Sequence, residues 1–224
     1  MKMKIFVGIL TFIIAIGFNI IPVSGDTLPT TNCVGEHMVD NCIEPPFEPY
    51  IKYVFEDVWD ESAWYFEPIY GIAEIGIMQG YDNGYFGYED DITWLQTVIL
   101  STRINDYVRR RTFVEKSSGV NWYQPYLDYA LENEIIKSIP RNVNAPIKRG
   151  EAAKILTKVI PQEKISTDMN LKVFEDIDSG DTEMLNAVNS LQSAGVINGK
   201  SDTLFGTNDT LTRAEMAAML YRML

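Results

Sequence analysis

The sequence predicts an all-α protein assembled from three copies of one helix-loop-helix unit, and three observations lead there. A long internal match holds without a gap at an offset of 119 residues. Each copy carries two stretches whose apolar residues step at three and four positions, the period of a half-buried helix. Neither helix of a pair could bury its stripe alone, so copies must pack on one another, as repeat architectures do.

The match between the first and last copies is specific. Phe55-Glu56-Asp57-Val58 pairs with Phe174-Glu175-Asp176-Ile177, and Gly76-Ile77-Met78-Gln79-Gly80 with Gly195-Val196-Ile197-Asn198-Gly199. Phe86-Gly87 then pairs with Phe205-Gly206, and Asp90-Asp91-Ile92-Thr93 with Asp209-Thr210-Leu211-Thr212. A middle copy lies between them at an offset of 58: Phe113 falls on Phe55, Trp122-Tyr123 on Trp64-Tyr65, Leu127 on Ile69 and Ile135-Ile136 on Ile77-Met78. Its loop is shorter, and Ile147-Lys148-Arg149-Gly150-Glu151 must slide by three residues to meet Leu211-Thr212-Arg213-Ala214-Glu215. The expected divisions are a leader over 1–25, a tail over 26–52, and copies over 53–110, 111–170 and 171–224, the first two degenerate and the third intact.

In the third copy Met184, Leu185, Val188, Leu191 and Gln192 form the stripe of a first helix that Gly195 ends as a C-cap. A second helix opens at Thr212 and presents Met216, Met219, Leu220 and Met223 on one side. Thr212 and Glu215 are spaced as a capping box, as are Thr93 and Gln96 in the first copy. Trp64 and Trp122 are expected early in the first helices of their copies, and Asp57 and Asp176 at positions suited to helix capping.

Residues 1–25 are different in kind. Lys2 and Lys4 lead an apolar run from Ile5 to Ile21, and Val23-Ser24-Gly25 closes it with small residues. That is the pattern of a secretory signal peptide cleaved after Gly25, with an uncleaved N-terminal anchor as the alternative. Export makes a Cys33–Cys42 disulfide the expected state of the only two cysteines. With the single His37 they fall short of a zinc set.

The formal charge is −12, and losing the leader removes two lysines and no acid. So acidic a chain repels phosphate backbones, and Arg109-Arg110-Arg111 comes with no nucleic-acid motif, so nucleic acid is not an expected partner. That triplet reads as the solvated end of a helix. No nucleophile with its base and no metal set is in view, a carboxylate pair would be oddly repeated, and neither an enzyme nor a cofactor is expected.

Phe-x-Asp-Val, a helix, Gly-Ile-x-x-Gly, an aromatic loop ending in Phe, then Thr-Arg-Ala-Glu heading a helix: this order resembles the S-layer homology (SLH) repeat of bacterial surface proteins. The resemblance spans about residues 53–224 and is most specific at Gly195–Gly199 and Leu211–Met216. It implies a pseudo-threefold assembly with ligand grooves between neighbouring copies, location at the cell wall or S-layer, and secondary cell-wall polysaccharide as partner. It also implies that Arg213 recognises an acidic, often pyruvylated, sugar, with Gly199 and Glu215 in support. A guanidinium at a helix start suits a carboxylate; the alternative is that Thr212 and Glu215 only cap while Arg213 faces solvent.

The first copy replaces this arginine with Trp94, which either stacks on sugar or packs in an apolar groove. The second keeps Arg149 and Glu151 but has Ser138 for the second glycine. Trp64 and Trp122 are further candidates for sugar contact, and Tyr81, Tyr85, Phe86 and Tyr88 make the first loop a platform for sugar or for protein. The competing expectation is a surface scaffold that contacts other surface proteins and no longer binds the wall, motivated by the two eroded copies and the absence of an obvious cargo domain.

Overall fold

The computed structural model describes residues 54–110, 121–167 and 170–224. The chain divides into two compact units, Met1–Glu48 and Pro49–Leu224, and every described residue belongs to the second. The signal segment, the Cys33–Cys42 pair, His37, the tail, Arg111 and Phe113 lie outside the described residues. No helix among those described is long and apolar enough to cross a membrane.

Six α-helices follow in order: α1 Phe66–Glu74, α2 Trp94–Arg110, α3 Gln124–Glu132, α4 Arg149–Leu156, α5 Thr182–Ser193 and α6 Arg213–Arg222. Among the described residues no extended strand forms, and the all-α expectation holds. Arg109 is exposed at the C-terminal end of α2, where a cation complements the helix dipole.

All three first helices end alike. Amides of Ile77 and Met78 donate to Ile72 O, those of Ile135 and Ile136 to Ala130 O, and those of Val196 and Ile197 to Leu191 O. The middle segment therefore repeats the backbone geometry of its flanks. This turn requires a left-handed residue, supplied by Gly76 (φ 77°) and Gly195 (φ 70°); in the middle segment Glu134 takes it at φ 55°, where a Cβ is strained.

The second helices are the inner ones. Seven of ten residues are buried in α6 and six of eight in α4, against four of nine in α1, three of nine in α3 and four of twelve in α5. The single apolar stripe expected of α6 is thus too narrow a description. Ala214, Ala217 and Ala218 are buried along with Met216, Met219 and Leu220, because small residues let neighbours close on the other faces.

The connections form a closed cycle. Second helix α2 packs on α3, α4 on α5, and α6 on α1. The short segments ahead of the second helices also pair with one another: Asp91 with Thr212, Thr93 with Pro146, and Lys148 with Thr210. The first two amides of each second helix, which lack partners within a helix, are satisfied by the next segment's loop. Arg213 and Ala214 donate to Asp90 O and Tyr88 O, Arg149 and Gly150 to Asp209 O and Thr207 O, and Trp94 and Leu95 to Ala145 O and Val143 O.

Candidate functional site

Each second helix carries the residue after its cap into the loop of the next segment. The two capping boxes form as the spacing predicts. Thr212 and Glu215 bond each other's amides, and so do Thr93 and Gln96. The caps hold residues 213 and 94 at the junctions. In the middle segment Lys148 provides no side-chain cap.

Arg213 does not face solvent. It is 5% exposed, donates from Nε to Phe86 O and from Nη2 to Gln79 O, both at 2.9 Å, and lies over the rings of Tyr81 and Phe86 at 4.6 and 4.8 Å. Burial pushes its pKa down, and the nearby Tyr81, Asp90 and Asp57 oppose that shift. Gly199 is not beside it. That glycine lies in the loop that receives Arg149, at φ 77° and so close to Phe174 that any Cβ would strike the ring.

Arg149 is 6% exposed and stacks over Phe205 at 5.2 Å, the repeat equivalent of Arg213 on Phe86. Its Nη1 donates to Glu215 Oε1 at 3.0 Å, which leaves its buried Nε without a hydrogen-bond partner. Burial lowers its pKa, against the pull of Glu215 and Asp209. Glu215 thus caps α6 with one oxygen and holds the middle segment's arginine with the other. Trp94 is 5% exposed and takes the packing role, over a small cavity that Glu151 and Ser138 also line.

Asp57 and Asp176 do not cap helices. Asp57 accepts from the amides of Phe86, Gly87 and Tyr88, and Asp176 from those of Phe205, Gly206 and Thr207. Each opening motif therefore pins the loop thirty residues on, the loop that seats an arginine. Desolvation raises the Asp176 pKa, but the three amides outweigh it and the net shift is downward.

Trp64 and Trp122 stand in the turns just before α1 and α3, since those helices begin at Phe66 and Gln124. Both meet the following tyrosine edge to face, at 82°, and both remain exposed, at 60% and 40%. Trp64 opens onto a groove of about 840 Å³ that the three segments form together. Tyr65 and Tyr88, stacked at 4.6 Å, line it together with Lys148, Lys200, Asp209 and Glu215. Two of the groove's acids are already paired, Asp209 with Lys200 at 2.6 Å and Glu215 with Arg149, whereas Lys148 makes no ion pair among the described residues.

Of the groove residues, Tyr88 belongs to the aromatic loop that the sequence marks as a platform, whereas Lys148, Lys200 and Tyr65 were not singled out as contacts. Tyr65 could have been found from its place beside Trp64; the lysines carry no local pattern. Trp122 lines none of the cavities described here.

Among curated proteins no match is found. The family model of the S-layer homology domain matches residues 55–93 and 173–217, the first and last copies, and leaves the middle segment outside the match. SLH domains are modules of cell-surface and cell-wall association that bind or anchor. The two matched regions hold the loops and caps that seat Arg213 and Arg149, and over those regions the chain carries the S-layer homology domain.

Proposed function

We propose that the chain is a non-catalytic anchor of three SLH units, which attaches without covalent bonds to the cell wall by binding an acidic secondary polysaccharide. The observation that carries this is a groove lined by Trp64, Tyr65 and Tyr88 together with Lys148 and Lys200. Its volume of about 840 Å³ suits a short stretch of glycan. Sugar C–H faces stack on exposed aromatic rings, and the lysines answer a carboxylate or ketal acid. Cyclic packing of the three segments supports the pseudo-threefold arrangement.

In this reading Glu215 borders the ligand, while Arg213 and Arg149 build the walls of the grooves. Gly199 shapes a loop, Glu151 stands at the second cavity, and Trp122 plays no part in the main groove. The test is pelleting with purified sacculi. Trp64→Ala and Tyr88→Ala should each cut pelleting several-fold while the thermal transition stays in place. Undiminished pelleting by both variants contradicts the groove assignment.

A second reading, contact with other surface proteins, has its own observation. Val54 and Val173 are repeat equivalents and 79% and 85% exposed, and Tyr85 and Leu204, also equivalent, are 43% and 48% exposed. Absence of pelleting by the parent protein would favour it.

A further inference from the structure

Each inner helix meets the first helix packed on it at one repeated pair of positions, and the three junctions fill that place differently. Thr102, Thr157 and Tyr221 each stand eight residues after the start of α2, α4 and α6. Gly71, Tyr129 and Ser190 each stand one residue before the carbonyl that closes the first helix, those of Ile72, Ala130 and Leu191. Where α6 packs on α1, the inner helix supplies a tyrosine and the outer one a glycine. The Tyr221 ring lies where a Cβ on Gly71 would be, and its hydroxyl donates to Glu67 at 2.8 Å. Where α2 packs on α3, the tyrosine comes from the other wall: Tyr129 accepts from Asn105 Nδ2 at 3.0 Å, and the inner position is Thr102.

Where α4 packs on α5, neither wall supplies a ring. Thr157 and Ser190 line a cavity of about 520 Å³, together with Ala187 and with Asn186, which stands at the place of Glu67. That volume falls in the range of roughly 300–1,000 Å³ that holds small ligands. Charge does not choose the guest. Lys137, Lys154 and Lys158 line the cavity, but Glu183 holds Lys137 at 2.8 Å and Asp181 holds Lys154 at 2.9 Å. Glu134 and Glu151 join the same three lysines around the adjoining cavity of about 170 Å³. An ion gains little from so balanced a rim. An uncharged aromatic ring leaves those pairs intact and still meets ammonium groups that favour its face.

We propose that the notch between α4 and α5 is a docking site for a tyrosine side chain presented by a partner protein. The ring takes the place that Tyr221 and Tyr129 fill at the other two junctions, and its hydroxyl meets Asn186 as that of Tyr221 meets Glu67. A buried ring with one hydrogen bond at its far end is the chemistry both filled junctions share. Packing alone would be served by a ring from either helix, as it is at both of those junctions. The site is separate from the groove at Trp64 and stands whether or not that groove binds the wall.

The experiment is nuclear magnetic resonance of the full chain with labelled methyl groups, read at Thr157, Thr182 and Ala187. The probes are N-acetyl-tyrosinamide and an end-blocked peptide, Gly-Gly-Tyr-Gly-Gly. Both should give saturable shifts with a dissociation constant on the order of 1 mM. N-acetyl-phenylalaninamide should bind several-fold more weakly, for want of the hydroxyl. Ser190→Tyr copies the junction of α2 with α3, and should abolish the shifts while the melting temperature stays at or above the parent's. Thr157→Tyr/Ser190→Gly copies the junction of α6 with α1 and should do the same, so the test survives if one variant fails to fold. Trp64→Ala should leave the titration unchanged, which separates failure of the anchoring reading from failure of this one. Shifts of the same methyls with protein concentration alone, lost in Ser190→Tyr, would identify the partner as a second copy. The proposal is overturned if neither tyrosine probe gives saturable shifts, or if both filled variants bind as the parent does. It is also overturned if the amide binds and the peptide does not, or if methyl glucoside moves these methyls at lower concentration than the tyrosine probes.

Discussion

Arg213 shows how much of one side chain's setting its own motif carries, and how much comes from elsewhere in the chain. Its motif spells the capping box around it, and that cap forms, because Thr212 and Glu215 need only their own spacing to meet. Its surroundings come from a loop more than a hundred residues earlier, where Phe86 and Gln79 offer their carbonyls. No local pattern reports that. Arg213→Ala should therefore act on the fold: it strands two buried acceptors, and we expect a loss of about 2–4 kcal/mol in denaturant unfolding. Arg213→Lys should recover little, since a single ammonium cannot reproduce the planar fork. Asp176 gives a pH prediction. Its pKa is depressed in the folded chain, so the stabilisation it provides is present above the unfolded value near 3.9 and is lost as pH falls through the lower, folded value. Asp176→Asn should flatten the acid limb of the stability profile below about pH 4; an unchanged limb would remove Asp176 from the account.

At the scale of elements, periodicity located the helices because one face of each must be apolar whatever it packs against. It gave no sign that α4 and α6 would be enclosed on nearly all sides, since alanine reads as neutral in a helical pattern and only its neighbours decide its burial. Asp57 and Asp176 were misplaced for a similar reason. Their repeated position was visible, but the amides they bind lie thirty residues on. The first-helix stop was legible in full where glycine occupies it, and obscured in the middle segment where Glu134 does. Glu134→Gly should raise stability by up to about 1 kcal/mol by relieving the left-handed strain, and Gly195→Ala should lower it by about the same amount. Thermal melts of the two variants should move in opposite directions; a shared direction would contradict this reading of the turn.

Across the whole molecule the first and last helices meet. Gly71 of α1 lies under the ring of Tyr221 of α6, whose hydroxyl donates to Glu67 at 2.8 Å, and a Cβ at Gly71 would strike that ring. The cycle that begins with α2 on α3 is thus closed by α6 on α1. Opening any junction uncovers an inner helix and the first helix packed on it, so the described repeats should unfold in one transition, with Gly71→Val shifting the whole of it to lower denaturant. The same closure brings Trp64, Lys148 and Lys200, far apart in sequence, to the rim of one groove. Wall anchoring through that groove is most directly tested by co-sedimentation of the protein with sacculi before and after chemical removal of the secondary polysaccharide. The account predicts pelleting that disappears with the polysaccharide. Equal pelleting with both preparations, or with neither, would contradict it.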